Sequence, residues 1–240
     1  MTTPNAVHHI AISTADMKSQ IAFFSDVLGM SLQGLFWMHG VPNAWHAFLE
    51  MGDASFSFVF IPGNEEKETV MGQTHAGTGA GSSAPGTMQH IAFNVDTMEE
   101  LLTMRDRIRS RGVPVFGPLD HGLCHSIYFA GPENLTLEVA TSDQVEHPLD
   151  NQGMWIDPEV VELAGISSEE LQQYVRPASY AGQGGSVEQP EFDPEKPHLA
   201  YPKEAHPMML KMADSDFKTR AEDRVPPRLS ADAEGTMGGY

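Results

Sequence analysis

The sequence predicts an α+β protein made of two tandem βαβββ modules and a C-terminal extension. The main observation is an internal repeat, because His9-Ile-Ala-Ile-Ser-Thr is echoed about 81 residues later by His90-Ile-Ala-Phe-Asn-Val. In each copy an alternating strand pattern is followed by apolar residues at helical spacing and then by three more strand-like runs. After Thr141 neither periodicity continues, so the modules are predicted to end there.

The first module is predicted to cover residues 1–63. Residues 7–13 alternate in polarity and predict a strand, whereas the apolar spacing of residues 17–28 predicts a helix. Gly29 is placed to end this helix, because glycine readily adopts the left-handed conformation common after helix C-termini. Three further strands are predicted near residues 31–38, 44–51 and 54–61.

The second module is predicted to cover residues 88–142. It begins with a strand at 88–95 and continues with a helix at about 97–111, which ends before Gly112. Three strands complete this copy, near residues 113–118, 124–130 and 134–141. Both copies therefore follow the order strand, helix, strand, strand, strand.

Residues 64–87 join the two modules. The first part of this segment is charged and the second part is rich in Gly, Ser, Thr and Ala. This composition is typical of a flexible connector. A long segment between compact modules is also where an active-site loop is expected, so both interpretations are kept.

Residues 143–240 are predicted to form a C-terminal extension. One helix is expected near residues 158–174, and the remainder is irregular and rich in Pro, Gly and acidic residues. We expect the extension to wrap around the modules or around a neighbouring subunit, and partial disorder is the alternative. We also expect the protein to form a homo-oligomer.

The composition excludes several classes of function. The chain of 240 residues has 33 acidic and 14 basic side chains, a formal net charge of -19 and a pI near 4.8. This balance argues against binding to nucleic acid or to anionic membranes. No apolar run approaches the roughly 18 residues of a membrane span and no signal-peptide pattern is present, so we expect a cytoplasmic protein. The single cysteine, Cys124, excludes an intrachain disulfide.

Strand alternation places three potential metal ligands on faces that do not pack against the helices. Neighbouring residues on a strand face opposite sides of the sheet, so His9, His90 and Glu138 all point away from the predicted core. A half-buried carboxylate needs a compensating partner, and a divalent metal ion supplies one. Two imidazoles and one carboxylate leave open coordination positions, an arrangement typical of non-haem iron(II) oxygenases.

We therefore predict a metal site formed by His9, His90 and Glu138. Fe(II) is the expected ion, and Mn(II) or another divalent metal is the alternative. The neighbouring His8 competes with His9, but the repeat favours His9 because the shared Ile-Ala pair follows it directly. His8 falls on the opposite face of the strand and is expected to be structural.

Two segments at the ends of the predicted helices extend the pattern to a known family. They are Phe23-Phe-Ser-Asp-Val-Leu-Gly-Met30 and Ser110-Arg-Gly-Val-Pro-Val115. With the repeated histidine strands, they make residues 7–142 resemble the vicinal oxygen chelate superfamily, which includes glyoxalase I, bleomycin-resistance proteins and type I extradiol dioxygenases. The resemblance implies that the two modules curl into a cup-shaped mixed sheet around one metal ion.

Within that superfamily, the resemblance is strongest to the extradiol dioxygenases. Glyoxalase-like isomerases take a fourth ligand from the last strand of the first module, and the residue expected to match Glu138 there is Phe58, which does not ligate metals. The segment from His121 to Glu138 is similar to the extradiol signature in the spacing of its His, Tyr, Pro and Glu. Three positions depart from that signature, namely Leu119, Gly131 and Asn134.

The resemblance also implies roles for three residues besides the metal ligands. Tyr128 would hydrogen-bond a substrate oxygen, and His121 would line the pocket beside it. His75 lies about fifteen residues before His90, where extradiol dioxygenases have their acid/base histidine. A histidine titrating near neutrality can take and return a proton. His125 and His46 are alternatives for this role.

These observations predict an Fe(II)-dependent ring-cleaving dioxygenase of the extradiol type. Its partners would be O2 and a small catechol-like or hydroquinone-like aromatic, as in the breakdown of aromatic compounds. One alternative is a glyoxalase-like metal-dependent isomerase, epimerase or lyase, with a fourth ligand from elsewhere such as His198 or His206. The other alternative is a non-catalytic resistance protein that sequesters a ligand in the cup.

Overall fold

The computed structural model describes residues 3–38, 40–150, 152–201, 205–219 and 225–229. These residues belong to two compact units. The larger unit contains Pro4–Met38 and Asn43–Ala178, and therefore both modules. The smaller unit contains the described part of Ser179–Tyr240.

The first module forms a four-stranded mixed sheet with one helix. Its elements are β1 (His9–Ser13), α1 (Met17–Asp26), β2 (Leu32–Trp37), β3 (Trp45–Met51) and β4 (Ala54–Phe60). The strand order is β1-β4-β3-β2, with β1 parallel to β4 and the other neighbours antiparallel. Exposure alternates along β1 as the sequence predicted, with Ile10 and Ile12 half-buried between exposed neighbours.

The second module repeats this arrangement. Its elements are β5 (Ile91–Asn94), α2 (Met98–Ser110), β6 (Phe116–Asp120), β7 (His125–Ala130) and β8 (Thr136–Thr141). The strand order is β5-β8-β7-β6, and β5 is parallel to β8. The predicted α+β fold with two tandem βαβββ modules is confirmed, in the form of two four-stranded sheets.

Local sequence sets the ends of both helices. The side chain of Asp16 accepts a hydrogen bond from the backbone N–H of Ser19 and so caps the start of α1. Gly29, with φ of 82°, follows the end of this helix. At the start of α2, Thr97 and Glu100 form a reciprocal capping box.

Two strands begin three residues later than predicted, and one of them is β5, which was expected at residues 88–95 and runs from Ile91 to Asn94. A strand was expected near residues 113–118, whereas β6 runs from Phe116 to Asp120. Proline lacks the N–H that a strand ladder uses, and the pairing with β7 is irregular between Phe116 and Leu119, around Pro118. Pro118 therefore interrupts the ladder inside β6, whereas the apolar residues before Phe116 lie outside the strand.

The hydrophobic core is shared by the two modules. Phe24 on α1 stacks on Phe56 of β4, with ring centroids 4.9 Å apart. Phe93 on β5 of the second module packs edge-on against Phe56 at 5.5 Å. All three rings belong to one buried cluster that also includes Leu101 and Ile108 of α2. The interior therefore runs continuously from one module into the other.

Polar contacts at both ends of α1 also join this helix to the second module. The guanidinium of Arg107 on α2 donates to the backbone carbonyls of Asp26, at 2.8 Å, and Val27, at 3.0 Å. At the other end, the carboxylate of Glu133 accepts from Thr14 Oγ1 at 2.6 Å and from Gln20 Nε2 at 2.7 Å. Glu133 lies in the turn between β7 and β8.

The segment between the modules contains hydrogen-bonded turns. The backbone N–H of Ala84 donates to the carbonyl of Gln73 at 2.8 Å, which closes a larger turn. Inside it, a Cβ on Gly81 would lie 2.0 Å from the carbonyl oxygen of Ala76, so this close approach requires glycine.

The C-terminal extension begins with two helices rather than one. The single helix predicted near residues 158–174 is divided into α3 (Pro158–Leu163) and α4 (Ser168–Val175). Gly165 follows α3 in the left-handed conformation, with φ of 70°, and so ends this helix. Ser167 then caps α4 through a capping box. The apolar spacing continues across the break, which explains why the sequence predicted one helix.

The smaller unit contains two short helices where an irregular segment was predicted. They are α5 (Ala205–Leu210) and α6 (Asp214–Thr219). In the described residues of the whole chain, no helix is long and apolar enough to cross a membrane.

Candidate metal centre

The second module brings a histidine and a glutamate together. Glu138 lies in the middle of β8 and is 4% exposed. His90 immediately precedes β5, the parallel neighbour of β8, and its Nε2 lies 3.0 Å from Oε2 of Glu138. A buried carboxylate is stable only with a partner that offsets the loss of hydration. In this site the partner is the imidazole of His90.

The other imidazole nitrogen of His90 contacts the side chain of Gln89. Oε1 of Gln89 meets His90 Nδ1, while Nε2 of the same amide donates to the backbone carbonyls of Thr78 and Gly79 at 3.1 Å and 2.9 Å. Because backbone carbonyls only accept hydrogen bonds, the Gln89 side-chain atom that contacts them must be the amide nitrogen. The amide oxygen of Gln89 therefore faces His90. In a neutral imidazole His90 Nδ1 is therefore the donor.

This tautomer makes His90 and Glu138 a suitable pair of metal ligands. With the proton on Nδ1, the lone pair of Nε2 faces the carboxylate, and two acceptors 3.0 Å apart repel unless a proton or a cation lies beside them. Histidine ligands commonly donate their second N–H to an oxygen acceptor in this way. The donor set of one imidazole nitrogen and one carboxylate oxygen therefore fits a divalent cation.

The third predicted ligand, His9, is not in contact with this pair. It is exposed at the start of β1, and its Nδ1 lies 2.9 Å from Nδ1 of His8. Its ring also packs edge-on near Phe48, with centroids 6.0 Å apart. In the described part of the chain, no group of three or more His, Cys, Asp or Glu side chains is arranged to hold a metal ion.

The strand register corrects the prediction about the matching position in the first module. Ala11 pairs with Ser57 in the first sheet, just as Ala92 pairs with Glu138 in the second. Ser57 therefore occupies the position of Glu138, and Phe58 does not. Phe58 is fully buried in the core on the opposite face of β4.

The correction arises from a difference in turn length. The turn between β3 and β4 encloses two residues, Gly52 and Asp53. The corresponding turn between β7 and β8 encloses three, Pro132–Asn134, between Gly131 and Leu135. The second module therefore has one residue more in this turn and one residue fewer between β5 and β7, so that Ala11 and Ser57 are as far apart in sequence as Ala92 and Glu138. Ser57 is 1% exposed, and within the described residues its Oγ has no hydrogen-bond partner.

Tyr128 and His121 lie beside the pair. Tyr128 on β7 is the cross-strand neighbour of Glu138, and its ring lies edge-on to that of His90, with ring centroids 6.2 Å apart and an interplanar angle of 74°. The phenol oxygen lies 3.2 Å from Nε2 of His121. Burial, followed by the negative charge of Glu138, raises the pKa of Tyr128 above its usual 10.0. The phenol therefore keeps its proton at neutral pH and can donate it in a hydrogen bond.

The other candidate histidines have different surroundings. His125 lies on β7 three residues before Tyr128 and so points to the opposite face of the sheet. His75 lies in the segment between the modules, where its Nδ1 is 2.9 Å from Thr74 Oγ1. His46 packs against two phenylalanine rings of the first module. Of these candidates His121 is the one in contact with Tyr128.

The tail histidines named as alternative ligands belong to the smaller unit. Nδ1 of His198 lies 2.8 Å from the backbone oxygen of Lys196. The side chain of His206 lies outside the described part of the chain.

Comparison with known families identifies the superfamily. Residues 6–139, more than half of the chain, match the model of the Glyoxalase/Bleomycin resistance protein/Dioxygenase superfamily. The chain belongs to this superfamily. The resemblance predicted from the sequence is thus confirmed at the level of the superfamily, and a search among curated proteins finds no match.

Solved structures of the superfamily fold are similar in backbone but distant in sequence. A lactoylglutathione lyase from Agrobacterium tumefaciens is 18% identical, with 58% of this chain and 96% of that chain covered and a TM-score of 0.42. The fosfomycin resistance protein FosX from Listeria monocytogenes, solved with Mn(II) and sulfate, is 16% identical, with coverage of 59% and 96% and a TM-score of 0.41. TnmS3, an antibiotic-binding protein from Streptomyces sp. CB03234, is 14% identical, with coverage of 60% and 100% and a TM-score of 0.42.

Around the His90–Glu138 pair, the sequence pattern did not indicate several contacts. A Cβ on Gly79 would lie 3.2 Å from the ring of Tyr128, so the segment between the modules passes over the tyrosine. A Cβ on Gly122 would lie 3.1 Å from the indole of Trp155, whose Nε1 donates to the carbonyl of His147. The start of the C-terminal extension therefore covers the loop that carries His121.

Proposed function

We propose that this chain is an Fe(II)-dependent ring-cleaving dioxygenase of the extradiol type, with His9, His90 and Glu138 as the metal ligands. The observation that carries the proposal is the contact between the half-buried His90 and the buried Glu138, whose facing acceptor atoms require a cation or a proton. His9 would be the third ligand. Ser57 supplies no carboxylate at the matching position of the first module, so open coordination positions are retained.

The chain's own residues would bind the substrate and move its proton. Tyr128 keeps its phenolic proton at neutral pH and would donate a hydrogen bond to a substrate oxygen beside Glu138. His121, 3.2 Å from that phenol, would accept a substrate proton and return it to the product. Bound Fe(II) would acidify the substrate hydroxyls and hold the diol next to O2.

His121 is a better candidate for this proton transfer than His75. Its ring nitrogen reaches Tyr128, whereas the side chain of His75 contacts Thr74 within the intermodule segment. We therefore expect His121→Ala to lower kcat more than His75→Ala does. If His75→Ala has the larger effect while iron content is unchanged, the assignment of the two residues is reversed.

Oxygen consumption tests the proposed reaction directly. The protein is purified anaerobically, its metal content is measured, and Fe(II) is added with a panel of catechols and hydroquinones. We expect O2 uptake together with the yellow absorbance of ring-opened products. Iron-loaded protein that consumes no O2 with any of these substrates would refute the proposal.

Matched glutamate variants test the metal site without a substrate. We expect Glu138→Gln to lose bound metal, because the site would lose its only anionic ligand. Glu146→Gln changes an exposed side chain and is the control, with metal content expected to equal that of the wild type. Equal metal content in both variants would show that Glu138 is not a ligand.

One observation favours a second function, a metal-dependent isomerase, epimerase or lyase. The buried hydroxyl of Ser57 stands at the position where the resemblance places a fourth ligand in glyoxalase-like isomerases. A neutral hydroxyl is a weaker ligand than a carboxylate, so we expect Ser57→Ala to change metal affinity less than about tenfold. Complete loss of metal in Ser57→Ala, with activity independent of O2, would favour the isomerase reaction.

The third function is sequestration of a ligand without catalysis, and unlike the other two it would not require a bound metal ion. A sequestering protein would bind its ligand equally well after chelation of the metal. We expect chelation to abolish binding of a catechol, because the substrate oxygens would be held at the metal. Catechol binding by metal-free protein, measured by calorimetry, would favour sequestration.

A further inference from the structure

The segment between the modules is connected to the predicted ligand His90 through one side chain. The amide nitrogen of Gln89 donates to the carbonyls of Thr78 at 3.1 Å, Gly79 at 2.9 Å and Gly81 at 3.3 Å. The amide oxygen of the same side chain contacts His90 Nδ1. The side-chain amide of Gln89 therefore makes hydrogen-bonding contacts with four residues.

The same loop, residues Thr78–Gly81, also contacts the substrate side of the proposed site. Its Gly79 lies so close to Tyr128 that a Cβ there would be 3.2 Å from the phenol ring. The Thr78–Gly81 loop has internal hydrogen bonds from Ala80 N to Thr78 Oγ1 at 3.3 Å and from Gly81 N to the Thr78 carbonyl at 3.1 Å. It is a folded turn with fixed contacts on both sides.

We propose that Gln89 is a positioning residue that couples the Thr78–Gly81 loop to the metal ligand His90. Its oxygen fixes the proton on His90 Nδ1 and so leaves Nε2 free to bind a cation. Its nitrogen fastens the loop that forms a wall beside Tyr128. The inference rests on the proposed metal site and adds the control of that site by the loop.

Coupling of this kind is reciprocal. If the loop holds Gln89 in the orientation that favours metal binding, then metal binding must favour the folded loop by the same factor. A substrate that packs against Gly79 and Tyr128 would consequently tighten the metal, and loss of the metal would loosen the substrate wall. The intermodule segment is then an active-site loop and not only a connector.

Two substitutions of Gln89 separate its two functions. Gln89→Glu keeps an oxygen that accepts from His90 Nδ1, but it replaces the donor to the loop carbonyls with a second oxygen that repels them. Gln89→Leu removes both contacts while keeping a similar side-chain size. Gln172→Leu, at an exposed position of α4, is the matched control. Far-UV circular dichroism and thermal unfolding verify that each variant is folded.

Mn(II) affinity and amide exchange are measured on each full-length protein. We expect Gln89→Leu to weaken Mn(II) binding about 10- to 100-fold, the range typical when the outer hydrogen-bond partner of a metal ligand is removed. Gln89→Glu should bind Mn(II) within about threefold of the wild type, because the acceptor for His90 is retained. In both variants the Ala80 and Gly81 amides should exchange at least about tenfold faster.

The exchange data also test the coupling itself. Mn(II) should slow exchange of the Ala80 and Gly81 amides in the wild type and leave it unchanged in Gln89→Glu. Unchanged Mn(II) affinity in Gln89→Leu, or unchanged loop exchange in both variants, would overturn the inference while Glu138→Gln still loses metal. If the wild type and Glu138→Gln bind Mn(II) equally weakly, the proposed metal site fails and the coupling fails with it.

Discussion

Replacing Glu133 should weaken the attachment of the first helix to the second module. The Glu133 carboxylate accepts four hydrogen bonds from the start of α1. The donors are Thr14 Oγ1 at 2.6 Å, Ala15 N at 2.7 Å, Asp16 N at 3.2 Å and Gln20 Nε2 at 2.7 Å. Thr14 and Gln20 are buried, so their side chains have little access to replacement water. A negative charge at a helix N-terminus is also favoured by the helix dipole.

The size of the effect follows from these contacts. A hydrogen bond to a charged group contributes about 1.5–3 kcal/mol, and a buried donor left without an acceptor costs about 1–3 kcal/mol. Because the carboxylate is only half-buried, water recovers part of the loss. We expect Glu133→Ala to lower the free energy of unfolding by about 3–5 kcal/mol and Glu133→Gln, which keeps one acceptor oxygen, by about 1–2 kcal/mol.

The pH dependence has a defined sign. Burial alone would raise the pKa of Glu133, but the hydrogen bonds from Thr14, Gln20 and the two backbone amides outweigh it and lower the pKa below the usual 4.5. The stabilising contribution is therefore fully present above pH 4.5 and is lost as the pH falls through the lower folded-state pKa. The difference in stability between the wild type and Glu133→Gln should shrink over that acidic range.

Urea unfolding at neutral pH and at a series of acidic pH values measures these differences. Glu146→Ala, which removes an exposed carboxylate, serves as the control and should change the free energy of unfolding by less than about 0.5 kcal/mol. A loss below about 1 kcal/mol in Glu133→Ala would refute the assigned role of the four hydrogen bonds. So would a stability difference that stays constant as the pH falls below 4.5.

Three further substitutions test other parts of the structure. Tyr128→Phe should lower kcat/KM for ring cleavage about 10- to 100-fold in O2-uptake assays with iron content unchanged, because it removes one hydrogen bond to substrate. Gly81→Ala should cost about 1–3 kcal/mol in urea unfolding, because its Cβ would meet a backbone carbonyl at 2.0 Å, whereas Gly182→Ala enters open space and should be neutral. Phe93→Ala should cost about 3–5 kcal/mol by emptying the core between the modules, and Phe116→Ala, 71% exposed, should cost far less.

The features that the sequence predicted well are those in which apolar residues recur at the regular spacing of a strand or a helix. The repeated His-Ile-Ala strands revealed the two modules, and exposure along β1 follows the predicted alternation. Helix α2 was expected at about 97–111 and runs from Met98 to Ser110, since its apolar spacing and the capping box act within the segment itself. Short-range patterns of this kind need no knowledge of distant contacts.

The contacts that the sequence did not predict join residues without a regular spacing. Gln89 bonds to carbonyls that lie 8 to 11 residues earlier, and no periodicity marks such a contact. The same holds for Glu133, which lies 113 residues from Gln20 on α1 and 119 residues from Thr14 just before this helix. Helix α3 ended where Gly165 adopted a positive φ, although the apolar spacing continued beyond it. Tertiary and backbone constraints of this type become visible only in the folded chain.

The position of Ser57 shows how a small ambiguity in the repeat affects the chemistry of the site. An offset of 80 residues matches the core residue Phe58 with Glu138, whereas an offset of 81 matches Ser57 with Glu138, and the pairing of each strand with β1 or β5 selects 81. A phenyl ring at the position of the fourth metal ligand would have left no atom there that can bind a metal ion. A buried hydroxyl instead leaves a polar atom without a partner among the described residues. The proposed site therefore has three strong ligands only because a neutral hydroxyl is a weaker metal ligand than the carboxylate of Glu138.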